Sequence, residues 1–254
     1  MVDSLPSSPA PDRGGSTPWS AGQTLAFAGA IAIALPFLNM VVAMLMAGFA
    51  AAENSDFNQQ LFYLNLRENG QYLTVASLVA NGFIVWAVLR LIRLRGSVSW
   101  PRYLAIRPAS ATAWITALAG TLVLLVVSQW IGDWMQRPLY PDFLIEVYRS
   151  AQPLPLFWLV VVALSPIAEE VYFRGFIFIG LRNSLLGVSG AIIVTALLWS
   201  IIHLQYDFYD KSLIFIWGLF LGWLRFRYNT LVLPVLMHCL VNLVTLWGLA
   251  SALT

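Results

Sequence analysis

Six side chains in apolar surroundings carry groups able to do chemistry: Glu169, Glu170, Arg174, His203, His238 and Asn242. Three of them fall within six residues of LVVVALSPIAEEVYFRGFIFIGL. An ionisable group at membrane depth costs at least about 2.5–3.5 kcal/mol, and such groups usually face the interior of a bundle and mark function. Glu170 and Arg174 stand at i and i+4, so they share a helix face and can neutralise each other. Glu169 points roughly 100° away from Glu170 and is five residues from Arg174, which makes it the freer carboxylate and the candidate general base or acid. The competing reading is a buried ion pair that fixes helix packing, with Glu169 facing a water pocket.

Both histidines of the chain lie in apolar runs. His203 follows LLWSII one turn after Trp199, and His238 is followed one turn later, on the same face, by Asn242. Counted at about 1.5 Å per residue from the nearest basic loop, Glu169 lies about 20 Å deep, His238 about 16 Å, Asn242 about 22 Å and His203 about 24 Å, so the four can meet in one layer. Pro166 and Pro234 would let their helices kink toward a cavity.

Amide hydrolysis needs a base for water, an acid for the leaving amine, and donors aimed at the oxyanion. A carboxylate, two imidazoles and an amide supply all of these. The set Glu169, His203 and His238 also has the composition of a catalytic zinc site, so a metal-dependent reading stands beside a metal-free one, although HExxH is absent. A haem ligated by both histidines would leave Glu169, Glu170 and Arg174 unexplained. Cys239 excludes an intramolecular disulfide and a CxxC metal site, and as the neighbour of His238 on a helix it points about 100° away from it.

The elements that must position these groups are membrane helices. Of 254 residues, 59% are hydrophobic and 10% charged, too few charges to cover a water-facing surface. Most of the charge-free stretches are long enough to span a bilayer, which takes about 20 mainly apolar residues. The expected fold is an all-α polytopic transmembrane bundle of about seven spans, near 25–52, 71–89, 109–132, 154–181, 185–206, 209–228 and 230–251, with the chemical groups on the last four. The sixth spans only if Lys211 and Arg225 snorkel outward, and a re-entrant hairpin competes. Residues 1–20, rich in Pro, Ser and Gly, read as a disordered cytoplasmic tail and not as a signal peptide. Residues 21–149 read as N-terminal helices and loops, and 150–254 as the core that carries the chemistry.

Loop charges orient the bundle. With the tail inside, Arg13, Arg90, Arg93, Arg95, Arg102, Arg107, Arg182, Arg225 and Arg227 are cytoplasmic, while Arg67, Arg137, Arg149 and Lys211 are opposite. The net charge of +2 shows no basic patch of the kind nucleic acid requires. The lipid bilayer and a peptide or protein substrate are the expected partners, and the Lys-poor chain suggests a prokaryotic cytoplasmic membrane.

Three motifs in order, Glu169-Glu170-Val-Tyr-Phe-Arg174, Trp199-Ser-Ile-Ile-His203 and His238-Cys-Leu-Val-Asn242, resemble the EExxxR, FxxxH and HxxxN of the CPBP family of intramembrane proteases. That family includes the CAAX prenyl endopeptidases and the bacteriocin-processing and immunity (Abi) proteins. The resemblance covers about 150–250, and Trp199 stands where Phe is usual. It implies an intramembrane endopeptidase, with Glu169 and His203 activating water and His238 and Asn242 supporting the oxyanion. The alternative is a non-catalytic protein that binds a peptide or immunity partner in the same pocket; such a scaffold should tolerate Gln at position 169.

Overall fold

The computed structural model describes residues 19–96 and 98–254, and these are helical: α1 (Ala21–Glu53), α2 (Gln59–Leu64), α3 (Gly70–Arg95), α4 (Trp100–Tyr103), α5 (Ala111–Trp134), α6 (Asp142–Ser150), α7 (Leu154–Leu181), α8 (Gly187–Ile201), α9 (Phe208–Tyr228) and α10 (Val232–Ala252). Of the tail expected over 1–20, residues 1–18 lie outside the described residues. Trp19 is packed: its indole donates to the Leu91 carbonyl, its ring meets Phe27, and the Arg95 guanidinium lies over it. Ser20 then caps α1 in a reciprocal box with Gln23.

Five helices are long and apolar enough to cross a membrane, namely α1, α3, α5, α7 and α10. They expose large apolar side chains such as Ile33, Phe37, Ile115 and Leu122, as lipid-facing helices should. The α8 helix, with 15 residues, is too short for that criterion, and the ends of α9 carry Asp210, Lys211, Arg225 and Arg227. The α9 segment is nonetheless one uninterrupted 21-residue helix and not a hairpin. Arg225 departs from the expectation of an outward, snorkelling side chain. It is 1% exposed, because its Nε–H donates to the Arg174 carbonyl at 3.2 Å and its Nη1 to Asn229 Oδ1 at 3.2 Å; that asparagine is left-handed and ends α9.

α7 is the central element. Every residue from 171 to 180 is buried, which an apolar helix can achieve only when neighbours surround it on all sides. α1 closes one side: the Tyr172 hydroxyl donates to the Ala28 carbonyl at 2.7 Å, and a Cβ at Gly180 would collide with Thr24. α8 and α9 pack through Gly218 and Gly222, four residues apart, against Ala196 and Ile192, the close approach that small residues permit in membranes. The short connectors 182–186, 202–207 and 229–231 make α7, α8, α9 and α10 successive antiparallel neighbours.

Two π-helical turns interrupt α7, at Val160–Leu164 and Val171–Ile177. In the first, the Ser165 N–H bonds to the Val160 carbonyl, five residues back. The next bond of that register would run from residue 166 to Val161, but Pro166 has no N–H. The Val161 carbonyl is left open, and Asn242 of α10 donates to it at 2.9 Å. The expected effect of Pro166 is therefore a widened turn with a free acceptor facing α10.

Candidate active site

Glu169 lies in the middle of α7, between the two π turns. The second turn places Glu170 and Arg174 at the geometry expected of i and i+4: Arg174 Nη1 donates to Glu170 Oε1 at 2.8 Å with both side chains fully buried. Arg174 Nη2 donates to the Gly218 carbonyl at 3.1 Å, and its guanidinium lies 4.7 Å from the centroid of the Trp199 ring. Glu170 Oε1 also meets His238 Nδ1 at 3.1 Å, so the pair is a triad that joins α7 to α10.

Trp199 occupies the centre. Its Nε1–H donates to Glu169 Oε2 at 2.5 Å, its carbonyl meets His203 Nδ1 at 2.7 Å, and both imidazoles pack edge-on to it, at 5.4 Å for His203 and 5.1 Å for His238. His203 is not on the helix, as the depth count assumed. α8 stops at Ile201 and the His203 N–H turns back to the Ser200 carbonyl, which brings the ring down beside Trp199 from the connector.

These contacts fix tautomers. A carbonyl can only accept, so His203 carries its proton on Nδ1 and leaves Nε2 as a lone pair when neutral. His238, with Nδ1–H directed at a carboxylate, is held in the same way. Glu169 uses one oxygen on Trp199 and keeps Oε1 for another partner. Asn242 uses one N–H on Val161 and keeps the other.

Glu169, Trp199, His203, His238 and Asn242 line a single cavity of about 530 Å³. Glu170 and Arg174 stand behind its wall and not in it. The cavity extends past Tyr206 to Arg137, Asp133 and Asp210, at the end of the bundle where α5 finishes and α9 starts. Arg137 pairs there with Asp207 and lies 3.8 Å from Asp210. The Asp210 backbone N–H, and then Arg137, hold the Asp207 carboxyl below its usual range. Burial, with the charges of Asp210 and Glu169 behind it, pushes the Tyr206 hydroxyl up to about 12, so at neutral pH it is a phenol and a donor.

The zinc reading does not fit this arrangement. Among the described residues no three His, Cys, Asp or Glu side chains converge as a metal would require, because Trp199 stands between His203 and His238 and binds Glu169 itself. Sequence reasoning also passed over Asn81, a polar residue inside the apolar α3 whose amide donates to Ser165 Oγ at 2.8 Å beside the cavity. The rule that singled out Glu169, a polar group in an apolar run, would have found it. Nothing in the spacing marks Tyr206 or Arg137.

Among curated proteins and among solved structures no match to the chain is found. A family model does match: residues 151–244, which carry Glu169, Trp199, His203, His238 and Asn242, fit the one described as "Type II CAAX prenyl endopeptidase Rce1-like", a model of the CPBP/CAAX protease family.

Proposed function

We propose that the protein is an intramembrane endopeptidase that hydrolyses a peptide bond of a membrane-associated protein or peptide inside the cavity between α7, α9 and α10. The observation that carries this reading is the pairing of Glu169, which keeps one carboxylate oxygen toward the cavity, with two imidazoles whose Nδ1 atoms are already committed. Such a set takes protons and returns them. The family matched is one of endopeptidases, and nothing in the cavity favours a purely binding role.

In this mechanism Glu169 Oε1 takes a proton from a water held between it and His203 Nε2. The water oxygen bonds to the scissile carbonyl carbon, and the carbonyl oxygen becomes an oxyanion. The remaining Asn242 N–H donates to it, and the His238 ring, anchored through Nδ1 to Glu170, lies beside it. Glu169 then delivers the proton to the departing nitrogen as the C–N bond breaks, and the carboxyl and amine products leave. Arg174 holds the Glu170 carboxyl in place and through it orients His238 without touching substrate.

Glu169→Gln tests the proposal. It keeps the Trp199 hydrogen bond through the amide oxygen, so the protein should insert and fold. Cleavage of a precursor that accumulates in membranes carrying this variant should fall by at least 10²-fold, the usual contribution of a general base. Full cleavage by the purified Gln variant would end the assignment.

A further inference from the structure

The end of the bundle opposite the cavity mouth is made of 90–107, 182–187 and 225–231, and those segments contain eight arginines and no acidic residue. Arg90, Arg93, Arg95, Arg102, Arg107, Arg182, Arg225 and Arg227 all end there, whereas the other end mixes both signs. Most of the eight are on the surface and need no counter-ion, but Arg225 is 1% exposed. Its Nε and Nη1 have a carbonyl and an amide oxygen, and its Nη2 is buried with no partner. The charges that fall on it come from Arg182 and Arg107, both cations. Arg182 and Arg225 also lie against one ring, that of Phe178, at 6.0 and 5.8 Å from its centroid.

Beside them the Tyr103 hydroxyl is buried without a partner and feels the charges of Arg182 and Arg95. The segment carrying it is clamped onto the start of α10: the Leu231 N–H donates to the Ala105 carbonyl, the Thr230 hydroxyl donates to that of Arg107, and Ala105 is held at φ 54°. A depression of about 490 Å³ opens alongside, lined by Ser99, Arg102 and Arg107. Converging guanidinium groups, one of them buried, and a phenol without a partner are the donors that an anion takes, since a buried charge is costly unless paired.

We propose that the arginine cluster beside this depression, between the ends of α7 and α9 and the 98–107 segment, binds a phosphate-bearing anion, the headgroup of an anionic phospholipid. Arg182 and Arg107 meet the phosphate, and the buried Arg225 guanidinium and Tyr103 hydroxyl lie beneath it. The all-arginine end is the cytoplasmic one by the distribution of basic residues, and that leaflet carries the anionic lipids. The site is independent of the peptidase reading and at the other end of the molecule.

The test uses the full chain in phosphatidylcholine nanodiscs with and without phosphatidylglycerol. Lipid retained on the protein is counted by native mass spectrometry and thermal unfolding is followed in parallel. The intact protein should retain phosphatidylglycerol and gain thermal stability from it. Retention should fall about tenfold in Arg182→Gln and in Arg107→Gln, each losing a hydrogen bond to a charged group, and less in Tyr103→Phe. Arg93→Gln removes an equal charge from an exposed position at the same end and should retain lipid as the intact protein does. Inorganic phosphate in neutral discs, against chloride of equal ionic strength, separates the sources: stabilisation by phosphate alone would keep the pocket and assign it to a free anion. Loss in Arg93→Gln as large as in Arg182→Gln, or no preference for anionic lipid together with no effect of phosphate, overturns the proposal.

Discussion

Arg174→Ala is the substitution whose cost the structure fixes most closely. Glu170 and Arg174 are both fully buried, 2.8 Å apart, at the centre of α7. Removing the guanidinium leaves Glu170 with His238 alone, takes the donor from the Gly218 carbonyl, and empties the face of Trp199. Breaking one side of a buried pair costs about 3–5 kcal/mol, a large part of the roughly 5–15 kcal/mol that holds a folded protein together. Glu170→Gln strands the opposite charge but keeps an amide oxygen for His238 Nδ1, so its cost should be at the lower end of that range. The double variant Glu170→Gln with Arg174→Gln has no buried charge left. It should be less destabilised than the sum of the two single changes Glu170→Gln and Arg174→Gln by about 2–3 kcal/mol, the coupling expected of residues in one network. The measurement is a double-mutant cycle on reversible unfolding in mixed micelles, with membrane accumulation of each variant alongside. Additivity to within about 0.5 kcal/mol would refute the reasoning, because two independent side chains behave that way.

Trp199→Phe keeps the aromatic wall but loses the N–H that fixes Glu169. A charge-assisted hydrogen bond is worth about 1.5–3 kcal/mol, so kcat should drop roughly 10–100-fold with KM and folding little changed, and an unaltered kcat would show that the bond is idle. His203→Ala removes the second group on the proposed water and should abolish cleavage in a protein that still inserts; residual turnover near the intact level would remove His203 from the mechanism. For orientation, a reporter fused after Gly96 should be cytoplasmic and one after Ser55 on the far side, and the reverse pattern would invert both the substrate side and the lipid site. Elemental analysis of active protein should find far less than one zinc per chain; one tightly held zinc, lost with activity in His203→Ala and His238→Ala alike, would establish a metalloprotease.

Periodicity and charge placement were enough to draw the helices. Five of the seven expected spans are helices long and apolar enough to cross a membrane, where a backbone must satisfy its own hydrogen bonds, whereas α8 is too short and α9 carries charges at both ends. What the pattern could not supply was depth and facing. A count of 1.5 Å per residue put His203 on a helix, but the turn at Ser200 ends α8 two residues before it. Arg225 looked like a boundary residue, since its place in the chain is next to a loop; only the packing of α9 on α7 turns it inward. The six candidate groups stood out because each is a polar side chain in apolar sequence. The contact among Glu170, His238 and Arg174 was half legible, as the part within one helix follows from i, i+4 spacing and the part between helices does not.

Trp199 and Asn242 show why residue types were easier to read than roles. At position 199 an aromatic wall explains Phe and Trp equally well, yet only an indole can donate to a carboxylate, and here it does. Trp in place of the motif's usual Phe therefore changes what holds the proposed base. At position 242 an amide reads as an oxyanion donor, but one of its N–H groups is taken by Val161, whose carbonyl is free because Pro166 cannot complete the π turn. The proline, the widened turn and the asparagine are one device: α7 opens by one residue just before Glu169, and α10 fills the vacancy from the turn that follows His238. Because that brace ties the α7 segment bearing Glu169 to the helix bearing His238, Asn242 sets the width of the cavity there, and in the proposed mechanism it also offers a hydrogen bond to substrate.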